Sequence, residues 1–186
     1  MATQIQRHTF TVDDYHRMLE GGILTEDDRV ELICGEIVAM APIGSKHWAI
    51  VNRLTRQLVL KLAGRSLVSI QSSLRLSETS EPEPDVAVFR PKEDDYYSAL
   101  PTPMDAYLVI EVADTTAAYD RDTKMPLYGK AGISEAWLVD LVSRRIEIYT
   151  EPTPNGYTHL RYAYPGDTVA PFAFPDVTLD VDSILI

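Results

Sequence analysis

The chain has 186 residues, 45% apolar and 24% charged, which is ordinary for a globular protein and enough for one sizeable core. Seventeen basic residues against twenty-eight acidic ones leave a formal charge of −11, which argues against broad electrostatic binding of nucleic acid but not against a site where a divalent cation supplies the positive charge. No apolar stretch is long enough for a spanning helix, the opening residues hold no signal-type run, and the lone Cys34 excludes a disulfide framework or a cysteine zinc site.

These absences predict a cytoplasmic, membrane-free protein, and with no repeat or linker in view they predict one domain over residues 1–186. A first helix begins at Thr11, which has capping-box spacing to Asp14, and Gly21-Gly22 stops it. Arg29–Ile33 and Glu36–Met40 flank Cys34-Gly35, a two-residue hairpin turn. From Lys46 to Ala63 the period becomes helical: Val51, Leu54, Leu58 and Leu62 recur on one arc, while Lys46, Arg53, Arg56 and Lys61 form a second, solvated one.

Strand patterns follow at Leu67–Leu74, Asp85–Phe89 and Tyr107–Val112, with turn-rich loops at Glu81–Pro84 and Pro91–Pro103. The run YLVIEV is nearly continuous in apolar residues, as expected of a strand buried on both faces. A short helix around Arg121–Ala131 is followed by strands at Glu135–Asp140, Arg145–Thr150 and Tyr157–Tyr164. The order predicts an α+β, or mixed α/β, fold around a central sheet.

Two carboxylates stand out. Asp85 opens one strand directly after Pro84, and Glu111 stands near the end of the next. If the two strands pair antiparallel, the start of one lies beside the end of the other and the carboxylates meet. Two like charges at a buried edge are costly unless a cation or a proton is shared, and oxygen ligands of this kind suit Mg²⁺ or Mn²⁺. Lys124 shares a helical face with Leu127, Tyr128 and Ala131, so it points toward the same interior, where it could position a water or offset phosphoryl charge.

At these residues, in the runs VELICGEIVAM, EPEPDVAVF, YLVIEV and above all YDRDTKMPLYGKAGISEAWLVD, the sequence resembles a restriction-endonuclease-like family long carried as a domain of unknown function within the PD-(D/E)XK nuclease superfamily. The resemblance implies a mixed sheet flanked by helices and a Mg²⁺- or Mn²⁺-dependent endonuclease hydrolysing DNA phosphodiester bonds. It implies that Pro84-Asp85 is the PD element and Glu111 the acidic residue of the second element. The metal would be held by Asp85, Glu111, the carbonyl of Val112 and Glu31. The superfamily lysine is missing, because Ala113 stands in its place, and Lys124 is the migrated replacement. The superfamily habit of acting in pairs implies a homodimer.

Each residue also has a plainer reading. Glu31 could pair with Arg29, Lys124 could be a solvated helix lysine, and His47, an accessory candidate at the start of its helix, could be a satisfied structural histidine. Tyr128 and Trp137 read as core aromatics. The competing class is a catalytically silent binding or regulatory module on the same fold, and the direction of Lys124 separates the two.

Overall fold

A computed structural model describes residues 7–25 and 27–185, and residues 1–6, 26 and 186 of the unit expected over 1–186 lie outside the described residues. Its centre is a six-stranded sheet made of β3 (Leu67–Ile70), β4 (Val86–Phe89), β5 (Ala106–Ala113), β6 (Glu135–Asp140), β7 (Arg145–Thr153) and β8 (Gly156–Ala163). The strands stand side by side in chain order, antiparallel except for β5 and β6. A parallel pair needs a crossover, and here it is helical: α3 (Ala117–Tyr119), a π-helical turn (Asp120–Lys124) and α4 (Met125–Lys130).

Both faces of the sheet are covered, which is why β5 reads as an almost unbroken apolar run. Leu108, Ile110 and Val112 point to α2 (Ser45–Leu62), whose Ile50, Val51, Leu54, Leu58 and Leu62 pack on that face. Val109 and Ala113 point the other way, to Met125, Tyr128 and Ile133. Glu111 falls in this second series, so the alternation of a strand turns it toward α4. Trp137 is fully buried, as expected of a core aromatic. Among the described residues no helix is long and apolar enough to cross a membrane.

A smaller unit stands beside the sheet. Helix α1 (Val12–Glu20) starts at the expected capping box, with Thr11 and Asp14 bonded both ways. The hairpin of β1 (Val30–Ile33) and β2 (Glu36–Ala39) turns on Cys34 and Gly35, both at positive φ, as a primed two-residue turn requires. An extended segment through Glu81 pairs with Leu32, which ties β1 to the stretch leading into β4.

Three expectations are corrected, and three short elements come without any sequence expectation. The strand expected over Leu67–Leu74 stops at Ile70, because Gln71 adopts φ +46 and leaves the ladder. The helix expected at Arg121 starts earlier and widens through a π turn, so Lys124 and Leu127 do not share a simple α-helical face. The basic arc of α2 is not merely solvated, since Arg53 and Lys61 donate to the carbonyls of Ser183 and Thr178. The short elements β9 (Thr168–Val169), β10 (Leu179–Asp180) and α5 (Val181–Ile184) had no pattern long enough to announce them, yet Val177, Leu179, Val181 and Ile184 close the core against α2.

Candidate active site

Antiparallel pairing of β4 with β5 sets Val86 opposite Ile110, so Asp85 and Glu111 flank the same end of the ladder. Both are buried there. Asp85 is held from three sides: Val112 N–H and His47 Nε2 each donate to Oδ2 at 2.9 Å, and Gln71 Nε2 reaches Oδ1 at 3.3 Å. His47 therefore faces inward, toward the carboxylate, while its Nδ1 is buried with no hydrogen-bond partner among the described residues. Gln71 owes its aim to the positive φ that ends β3.

Glu111 is held differently. Tyr128 Oη donates to its Oε1 at 2.5 Å, and Lys124 Nζ stands 3.3 Å from the same oxygen. Lys124 also lies 3.1 Å from Glu31 Oε2, which accepts from the N–H of Glu83 as well. Lys124 is only 6% exposed. The lysine thus points into the edge formed by β4 and β5, and Glu31 pairs with it rather than with Arg29.

One ammonium faces too many carboxylates. Burial holds the Glu111 carboxyl up to about 8, with Lys124 pulling it down and Asp85, Asp120 and Glu31 pushing it further up. Burial opposes the charge on Lys124, yet Glu111, Glu31 and Asp120 outweigh it and keep the ammonium charged far above its ordinary range. Asp120, itself raised by burial, accepts from Thr116 Oγ1 at 2.7 Å. Burial and Glu31 push the Tyr119 hydroxyl up to about 12. A cleft of about 460 Å³ opens over this group, with Gly44, His47, Gln71, Thr116 and Tyr119 on its walls.

The donor chemistry suits a hard divalent cation: the carboxylate oxygens of Glu31, Asp85 and Glu111 line the cleft, with an excess of negative charge. Among the described residues no three His, Cys, Asp or Glu side chains already converge as a metal cage; Lys124 bridges Glu31 and Glu111, and Tyr128 bonds Glu111. Two participants escaped the sequence reading. Gln71 lies beyond a strand end, where periodicity carries no signal. Tyr128 has the right position for a core aromatic, and nothing in the spacing reveals that its hydroxyl meets Glu111.

The profile of the Uma2 family, described as "Putative restriction endonuclease", matches residues 12–182. The chain belongs to the Uma2 family. Its fold is also that of the crystal structure of a "putative nuclease belonging to DUF820" from Anabaena variabilis, at TM-score 0.74 and 18% identity, covering 94% of this chain and 97% of that one. Comparison with curated proteins finds no match. The match to the Uma2 family runs from the start of α1 into the last helix, so it takes in Glu31, Asp85, Glu111 and Lys124 together.

Proposed function

We propose that the protein is a divalent-metal-dependent endonuclease that hydrolyses DNA phosphodiester bonds at the Asp85–Glu111 edge. The observation that carries this reading is the burial of Lys124 against Glu111 and Glu31, in a cleft that Asp85 also lines. A lysine serving only solubility would point to water; this one is desolvated among carboxylates. Family membership and the shared nuclease-neighbour fold support the same reaction class.

Asp85, Glu111, the carbonyl of Val112 and Glu31 are the residues that would hold Mg²⁺ or Mn²⁺. Bound there, the cation supplies a Lewis acid for the phosphoryl oxygen and a more acidic water. The chain's own contributions follow from its geometry. Val112 N–H and His47 fix the Asp85 carboxylate, so little reorganisation is needed when substrate arrives. Tyr128 orients Glu111. Lys124, the replacement for the lysine absent at Ala113, donates to the attacking water or to a non-bridging phosphoryl oxygen and offsets charge as it develops. Glu31 steers that ammonium from the other side.

The test compares wild type, Asp85→Asn, Glu111→Gln and Lys124→Ala on one supercoiled plasmid with Mg²⁺ or Mn²⁺. Cleavage by wild type and its loss in all three variants is the expected result. Wild type that never nicks DNA with either metal overturns the reading in favour of a silent module.

A further inference from the structure

Four charged side chains meet under the helical crossover: Arg121 from its π turn, Asp140 from β6 and Arg145 and Glu147 from β7, strands that supply no lining residue of the cleft. Glu147, fully buried on β7, accepts from Arg121 Nη2 at 2.7 Å and Arg121 Nε at 3.1 Å, from Arg145 at 2.6 and 3.0 Å, and from Tyr149 Oη at 2.6 Å. Arg121 Nη2 also reaches Asp140 at the end of β6, 3.2 Å away. The two carboxylates are buried and the two guanidinium groups partly exposed, and the best attested use of buried ionic groups is to select one register over another.

The register in question is the π turn that carries Arg121. Met125 N–H bonds back to Asp120, five residues before it. Pro126 follows, with no N–H for the Asp122 carbonyl and a ring that would crowd it, so an ordinary α turn is disfavoured here. Residues three apart in an α-helix lie about 60° apart around the axis. In a π turn, at roughly 80° per residue, they lie about 120° apart. That wider angle lets Arg121 grip the floor at Glu147 while Lys124 enters the cleft between Glu31 and Glu111.

We propose that Arg121 is a positioning residue: its two-pronged clamp on Glu147 and its bond to Asp140 hold the π register that keeps Lys124 inside the site. In its consequence for cleavage this rests on the nuclease reading above; the placement of Lys124 does not. The experiment therefore reads placement directly, by amine-selective labelling of the native full chain and mass spectrometry, with exposed Lys130 as the internal reference. In wild type the Lys124 to Lys130 labelling ratio is low. In Arg121→Ala and in Glu147→Gln it rises at least tenfold, and Arg121→Lys, which keeps the charge but loses the fork, falls between.

Steady-state cleavage by the same variants, normalised to folded enzyme, drops through kcat with KM little changed, and the labelling ratio separates this from a loss of folded protein. A wild-type ratio in folded Arg121→Ala overturns the proposal. If that variant does not fold, a wild-type ratio in Glu147→Gln overturns it. Wild type that fails to cut DNA removes the nuclease reading, and the labelling ratio still decides the clamp.

Discussion

Lys124 carries the largest consequence of any single side chain. Its removal takes a positive charge from between two buried carboxylates, Glu31 and Glu111, whereas loss of an ordinary surface lysine costs under about 0.5 kcal/mol. Lys124→Ala is expected to keep the fold, to lose about 3 kcal/mol in urea unfolding, and to slow DNA cleavage on the order of 10²-fold or more. Equal cleavage rates on one plasmid at matched Mg²⁺ would remove the lysine from the chemistry. Tyr128 gives a finer probe. In Tyr128→Phe, Glu111 Oε1 keeps Lys124 but loses the hydroxyl, so stability should fall by about 1–3 kcal/mol with the core volume almost unchanged. A loss below a few tenths would mean that water replaces the phenol.

At the scale of elements, the crossover is set by a close approach as well as by the Arg121 clamp. A Cβ on Gly129 would stand 2.6 Å from the carbonyl carbon and 2.8 Å from the Cα of Gly156, both backbone atoms that cannot swing aside. Helix α4 therefore packs directly on the start of β8, and only glycine permits it. Gly129→Ala should cost about 1–3 kcal/mol. Because α4 follows Lys124 without a break, the same variant should lower cleavage more than a distant substitution of equal cost; matched stability and activity measurements decide it. Thr11→Ala, which removes the α1 cap, is the control: about 1 kcal/mol and no effect on cleavage.

Two properties belong to the whole molecule. Burial opposes the charge on Glu147, but bonds from Arg121, Tyr149 and Arg145 outweigh it and hold the carboxyl below its ordinary range. A folded-state value below the unfolded one contributes stability above the unfolded value, and that contribution is lost as pH falls through the folded one. Acid unfolding followed by fluorescence should thus show a fall in stability below about pH 4.5 that is smaller in Glu147→Gln than in wild type. A divalent cation would act on the same face of the sheet, at the β4–β5 end of the row that runs from Glu111 through Leu138 to Glu147. Binding only the folded state, Mg²⁺ or Mn²⁺ should raise the melting temperature in proportion to the logarithm of its concentration, and Asp85→Asn should abolish the rise. An equal rise in the variant would place the ion elsewhere.

How much of this was legible in the chain depends on the range over which each signal acts. Periods of two and 3.6 residues, a capping box and a primed turn are local, so α1, the β1–β2 hairpin, α2 and the run of β5 could be read directly. The start-against-end placement of Asp85 and Glu111 was legible too, because adjacent strands in a sheet commonly pair in sequence. What no local pattern holds is the widened turn at Asp120–Lys124, the partner of Glu31, the hydroxyl of Tyr128 on Glu111, and the reach of Gln71 to Asp85. Those depend on which buried charge finds which counter-charge once water is excluded, and that is settled only when α4, β5 and β7 close on one another.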